Sequence, residues 1–246
     1  MKVNIAIDQG NTWAKVGIFA GGKLVEVRHY EELLPADIEE ISRDHEVARA
    51  IYSTVRVVDE AVTEAVRRVA ERVVELSHLT PMPLVIDYAT PATLGHDRIA
   101  AAVGAVSDYA GSNCLVVDAG TAVTLDVVTA GGHFVGGRIS PGVRMRLEAL
   151  HRYTSRLPLV EAYGDTPIVG YDTATAIRSG VVRGVASEIE SCCHRLRGTL
   201  GDGLRVILTG GDARLLADLV EGCEVTVDDN ILMKGLNRIL QYNEDI

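Results

Sequence analysis

The chain has 246 residues, 24 basic and 34 acidic side chains, and a formal charge of −10. Its composition, 47% hydrophobic and 24% charged, is that of a globular protein and excludes intrinsic disorder. Residues 1–110 carry 11 basic and 17 acidic side chains and residues 111–246 carry 13 and 17, so neither half offers the basic face that a nucleic-acid partner needs.

The length is long for one ordinary domain and short for two. No apolar run approaches the roughly 20 residues of a membrane span. The first residues lack a signal-peptide core, so the expectation is a cytoplasmic protein without a membrane partner. Cys114, Cys192, Cys193 and Cys223 form no CxxC pair and have no histidine at zinc spacing, and they read as idle thiols.

In chain order, a strand over residues 3–8 runs into the polar turn Gln9-Gly10-Asn11-Thr12. Runs at 13–20 and 24–29, joined by Gly21-Gly22, complete an antiparallel meander of three strands. A short helix at 36–42, a strand at 48–52 and a long amphipathic helix at 59–78 follow. In that helix Ala61, Ala65, Val69, Val73 and Leu76 recur at helical spacing. Pro81 and Pro83 end it; a strand at 84–87 and an Ala-rich helix at 98–109 come next.

Then the pattern restarts. Strands at 114–118 and 123–128 flank the turn Ala119-Gly120-Thr121, and a third strand begins at 133–135 after Gly131-Gly132. Helices at 142–151 and 173–200, a strand at 205–208, a helix at 213–219, a strand at 223–227 and a helix at 231–242 close the chain. The two halves share one order. They also share an Asp-x-Gly-polar turn after the first strand, Asp8-Gln9-Gly10-Asn11-Thr12 and Asp118-Ala119-Gly120-Thr121-Ala122, 110 residues apart. That period is a duplicated domain, not a solenoid repeat.

An Asp at a strand end, followed by Gly and a hydroxyl or amide, suits a magnesium-nucleotide site. The carboxylate holds Mg²⁺ through water, Gly lets the backbone approach a phosphate, and turn N–H groups donate to it. Lys15, one of four lysines in the chain, adds a point charge. The plain alternative is an Asx turn closing a hairpin. The P-loop and Rossmann fingerprints are missing. Glycine turns at Gly136-Gly137-Arg138-Ile139-Ser140-Pro141-Gly142 and Thr209-Gly210-Gly211-Asp212 also fit a nucleotide cleft. A further cluster, Tyr88 with Gly95-His96-Asp97-Arg98, lies at a helix start, where an N-cap Asp and a surface Arg are the plain reading.

Taken in order, these motifs resemble the type III pantothenate kinase family. The likeness runs through Asp8-x-Gly10-Asn11-Thr12, Gly95-x-Asp97-Arg98, Asp118-x-Gly120-Thr121-Ala122-x-Thr124 and Gly136-Gly137-x-Ile139-x-Pro141-Gly142, and ends at Thr173-Ala174-Thr175-Ala176-Ile177 with Gly180 beyond. The family belongs to the acetate and sugar kinase, chaperone and actin superfamily. The resemblance implies an α/β fold of duplicated actin-like ATPase domains, each a mixed sheet beginning with a three-strand meander and flanked by helices. Residues 1–110 would form the N-terminal domain with the first phosphate motif and the substrate and base motif. Residues 111–246 would form the C-terminal domain with the second phosphate, cation and adenosine motifs.

The implied activity is ATP-dependent phosphorylation of the 4′-hydroxyl of pantothenate, the first step of coenzyme A synthesis. Asp97 matches the general base, with Tyr88, Gly95, His96, Arg98 and Thr173 as further pantothenate contacts, Thr173 from the partner subunit's interface region. Asp8, Gln9, Gly10, Asn11, Thr12, Trp13, Ala14, Lys15 and Thr121 match ATP contacts, with Asp8 near Mg²⁺ through water. Asp118 matches the ligand of a monovalent cation, potassium or ammonium. The implied assembly is a homodimer. His96 fills a slot that often holds a small residue, which narrows the pocket. Two rivals share the scaffold. A sugar or carboxylate kinase would not need Gly95-x-Asp97-Arg98, and a non-catalytic nucleotide-binding regulator would not need Asp97.

Overall fold

A computed structural model of the chain describes residues 2–10, 12–54 and 58–244. The chain divides into two compact units, one of residues 1–108, 132–134 and 230–246, the other of residues 109–131 and 135–229.

In the first unit β1 (Lys2–Gln9), β2 (Ala14–Ala20) and β3 (Lys23–Tyr30) form the expected antiparallel meander. Helix α1 (Pro35–Asp44), β4 (Glu46–Thr54), α2 (Glu60–Val69) and β5 (Arg72–Glu75) follow, and the sheet order is β3-β2-β1-β4-β5. The pairs β1–β4 and β4–β5 are parallel. Val3, Ile5, Ile7, Val16 and Ile18 of the sheet pack with Ile38 and Ile41 of α1 and with Val62, Ala65 and Val66 of α2. After β6 (Val85–Ile86) comes α3 (His96–Asp108), the Ala-rich helix.

The helix expected over 59–78 is shorter. Asp59 caps it, accepting from the Ala61 and Val62 amides at 2.9 and 3.3 Å, but it ends where Ala70 turns to extended backbone. Residues 72–75 instead form β5 on the open edge of β4, bracketed by Glu71 N donating to Ala48 O at 3.1 Å and Leu76 N to Tyr52 O at 2.9 Å. Val73 and Val74 are β-branched, and the helical spacing that Val73 and Leu76 continue cannot outweigh a sheet edge that satisfies the backbone there.

In the second unit β7 (Cys114–Ala119), β8 (Ala122–Val128) and β9 (His133–Pro141) lead, and His133 and Phe134 at the start of β9 belong to the first unit. They are followed by α4 (Val143–Arg152), α5 (Thr173–Arg178), α6 (Gly184–Leu200), β10 (Arg205–Thr209), α7 (Ala213–Ala217) and β11 (Val225–Val227). The single helix expected over 173–200 is two, joined by a widened π turn at Ser179–Arg183. Strand order runs β6-β9-β8-β7-β10-β11, with β6 pairing to His133 and Phe134 of β9, β7–β8 antiparallel and β7–β10 and β10–β11 parallel. From β9 to β11 this repeats the five-strand order of the first sheet. Leu115, Val117 and Leu125 pack with Leu147, Val185, Ile189 and Leu216.

The last helix, α8 (Ile231–Tyr242), sits with the first unit although it follows β11. It lies against α3 at backbone distance: a Cβ on Gly104 would meet Ile231 O at 2.1 Å, and one on Gly235 would meet Ala100 O at 1.7 Å. Cys114, Cys192 and Cys193 are buried and Cys223 half-buried, all four as free thiols. Burial pushes the Cys114 thiol up to about 11 and the Cys223 thiol up to about 12, which keeps them protonated and unreactive. Among the described residues no helix is long and apolar enough to cross a membrane.

Candidate active site

The expected site residues fall into three groups, two in the first unit and one in the second, with Thr173 apart from them. In the first unit Asp8 lies at the carboxyl end of β1, buried, and pairs across the ladder with Lys15 of β2, so the two side chains share a face. On the other side its register partner is Ser53 of β4. The Ser53 hydroxyl is fully buried and has no hydrogen-bond partner among the described residues. Gly10 closes the turn with its N–H donating to Trp13 O at 3.0 Å. The Gln9 side chain is buried and accepts from the Tyr52 hydroxyl, which leaves its backbone as the part facing the turn. Thr12 and Trp13 are exposed, Ala14 is buried and Lys15 half-buried. Asn11 lies outside the described residues.

The second cluster of this unit opens α3. Asp97 Oδ1 accepts from the Arg98 amide at 2.8 Å, so the carboxylate folds back on the first turn of the helix. A Cβ on Gly95 would meet that same oxygen at 2.4 Å, which is why Gly stands two residues before the Asp. His96 is half-buried and its pKa is lowered, mainly by burial, with Asp97 opposing, so at neutral pH the ring is uncharged. Arg98 is buried, and its guanidinium carbon lies 5.8 Å from the centre of the Tyr88 ring. Tyr88, Gly95, His96, Asp97 and Arg98 are thus gathered as one group.

In the second unit Asp118 takes the position that Asp8 takes in the first, at the carboxyl end of the leading strand, with Thr124 and Thr209 as its register partners. Three turns meet there. Gly120 N donates to Ala122 O at 3.0 Å, Gly142 N to Thr121 O at 3.0 Å and Asp212 N to Ala119 O at 3.0 Å. Gly210 has φ +91°, and a Cβ there would meet Asp118 Oδ1 at 2.5 Å and Ala119 C at 2.6 Å. Only glycine fits so close to the carboxylate. Gly142 caps α4, so that helix points its N-terminus toward the Thr121 turn. Burial holds the Asp212 carboxyl above its usual range. Thr173 belongs to this unit but not to this group; it is exposed at the start of α5, next to the capping Asp172.

Among the described residues no three His, Cys, Asp or Glu side chains form a metal cage. The donors nonetheless fit Mg²⁺, which takes one or two carboxylates and completes its shell with waters and substrate phosphates. The orphaned Ser53 hydroxyl beside Asp8 and the Cβ-free space at Gly210 beside Asp118 are what a bound phosphate and ion would use. Sequence reasoning missed Phe134, whose ring lies 5.7 Å from the Arg98 guanidinium. Its one signal was rarity, since the chain has two phenylalanines.

Two sheets that share a five-strand order, each with an Asp-x-Gly turn at the end of its leading strand, define a duplicated actin-like fold. A ROK family glucokinase from Streptomyces griseus shares the fold with a TM-score of 0.54 and 13% identity, covering 98% of this chain and 100% of its own. A conserved Campylobacter jejuni protein of the Baf family, described as a transcriptional activator, does so with a TM-score of 0.62 and 21% identity over 98% and 100%. The family model for type III pantothenate kinase matches residues 4–195. Type III pantothenate kinases of Bacteroides fragilis and Phocaeicola vulgatus are 41% and 40% identical, over 98% and 99% of this chain and 98% and 100% of theirs. The chain belongs to the type III pantothenate kinase family.

Proposed function

We infer that the protein transfers the γ-phosphoryl group of ATP to the 4′-hydroxyl of pantothenate, opening coenzyme A synthesis. The observation that carries this reading beyond family membership is the start of α3. There a carboxylate held against the helix and a buried guanidinium stand side by side, as a substrate with one alcohol and one carboxylate requires.

Arg98 takes the pantothenate carboxylate, for which its fork is well shaped. Asp97 accepts the proton of the attacking hydroxyl, so that an alkoxide need not form in water. Tyr88 stands by the Arg98 guanidinium, and the neutral His96 imidazole beside it leaves the carboxylate of the substrate to Arg98. Phosphoryl transfer is mostly alignment and charge neutralisation. The amides of the Gly10 turn and Lys15 hold phosphate oxygens, as do the Thr121 turn and the N-terminus of α4. Asp8 would hold Mg²⁺ through water, and the ion would neutralise charge on the transferring phosphoryl group. Asp118, with the Gly210 backbone close beside its carboxylate, would hold a potassium or ammonium ion.

A homodimer with Thr173 contacting the partner's substrate belongs to the same reading. It is supported by the exposed side chains of Tyr153, Leu159, Tyr163, Ile168, Val169 and Tyr171, which lie close together in the sequence between α4 and α5. A cytoplasmic setting goes with a reaction on ATP.

A coupled ADP-release assay offering pantothenate, glucose, N-acetylmannosamine and acetate in turn tests the reading. Turnover is expected with pantothenate alone, faster in potassium or ammonium than in sodium. Turnover of a sugar or acetate without pantothenate turnover would overturn the substrate, and equal rates in all three salts would remove the role given to Asp118.

A further inference from the structure

Arg98 is a buried cation, and its guanidinium needs more than solvent to hold it. Two rings flank it, Tyr88 at 5.8 Å and Phe134 at 5.7 Å from centroid to guanidinium carbon. The rings meet edge to face, with centroids 6.0 Å apart and planes at 70°. Tyr88 precedes Arg98 by ten residues, but Phe134 arrives from a distant part of the chain.

What brings it there is a short stitch of backbone. Residues 132–134 belong to the first unit although their neighbours on both sides belong to the second. Val85 and Ile86 pair in parallel with His133 and Phe134. The Val85 amide donates to Gly132 O and the Asp87 amide to Phe134 O, both at 2.9 Å, and His133 Nδ1 meets Asp87 Oδ2 at 2.7 Å. The segment is thus fastened on both sides of Phe134's register position. The ring itself is fully buried, so it has no freedom to swing away.

We propose that Phe134 is a positioning residue for substrate: its ring holds the Arg98 guanidinium in the orientation in which it receives the pantothenate carboxylate. An arginine has several rotatable bonds, and ordering it at the moment of binding would weaken affinity. A cation held over aromatic faces is attracted by their quadrupoles and is ordered beforehand. The inference rests on the reading of Arg98 as the carboxylate partner. It adds that residues 132–134 build the pocket.

The test is steady-state kinetics of the full-length enzyme with Phe134→Leu, and with mono- and trifluorophenylalanine incorporated at position 134. Fluorination keeps the ring's shape and drains its quadrupole. The expected result is a KM for pantothenate raised about fivefold to tenfold by leucine and about threefold by the trifluoro ring, with the monofluoro ring near wild type. The kcat and the KM for ATP stay within about twofold. A packing role alone would lower the melting temperature with leucine and leave the fluorinated series flat. A flat fluorinated series with wild-type turnover of pantothenate would overturn the inference and leave the function standing. Absence of pantothenate turnover in the wild-type protein would instead overturn the functional reading.

Discussion

At Gly95 the consequence of one methyl group can be worked out from distances. A Cβ there would stand 2.4 Å from Asp97 Oδ1, and the carboxylate would have to rotate off the Arg98 amide it now accepts from. Gly95 is not in the left-handed region, so alanine can adopt its backbone, and losing glycine just before the helix costs about 1 kcal/mol or less, which the fold should tolerate. Gly95→Ala is expected to lower kcat about tenfold to a hundredfold, the scale of a misplaced catalytic group, with the melting temperature changed by no more than about 3 °C. Unchanged kcat would show that the carboxylate's position does not matter. Much of this scale was legible in the sequence, because Gly95, Asp97 and Arg98 are adjacent and helix-start chemistry is local. Phe134 was not, because its contact with Arg98 depends on a ladder between residues 85–86 and 133–134.

Among the elements, the leading strands of each half came through as expected, since hairpin glycines and apolar runs are local signals, whereas the full sheet orders rest on parallel pairings between distant segments that such signals do not specify. The break at Ala70 did not come through, because the valines of β5 continue a helical period and only the free edge of β4 decides against it. Nor did the place of α8. Its sequence reads as the end of the second half, but Gly235 lies against the α3 backbone, and that close crossing joins it to the first unit. A side chain there would push against main-chain carbonyl oxygen, which has no rotamer to yield. Gly235→Ala should therefore destabilise the protein by about 1–3 kcal/mol or more in denaturant unfolding, with Gly104→Ala similar. Stability equal to wild type in both would contradict the crossing.

For the whole molecule, the charge of −10 leaves the overall field hostile to ATP and pantothenate, both anions, so in the proposed function binding would rest on placed groups: turn amides, helix ends, Lys15, Arg98 and metal ions. Histidine sets part of the pH response. His29 and His96 have pKa values lowered by burial, by Lys15 as well for His29 and against the opposing pull of Asp97 for His96. The folded state thus binds fewer protons than the unfolded state between the depressed values and the ordinary 6.5, and stability falls as pH drops through that window. Wild-type protein should lose stability between about pH 7 and pH 5.5 more steeply than a His29→Gln, His96→Gln double variant; parallel curves would contradict the lowered pKa values of these rings. The central claim is pantothenate phosphorylation with Asp97 as its base. Its most direct measurement is pantothenate-dependent ADP release by wild type and Asp97→Asn in potassium buffer, with ATP binding followed on both. The account predicts turnover in the wild type, unchanged ATP affinity in the variant, and kcat lower by about 10²–10⁴-fold. A variant that turns over pantothenate near the wild-type rate would contradict it.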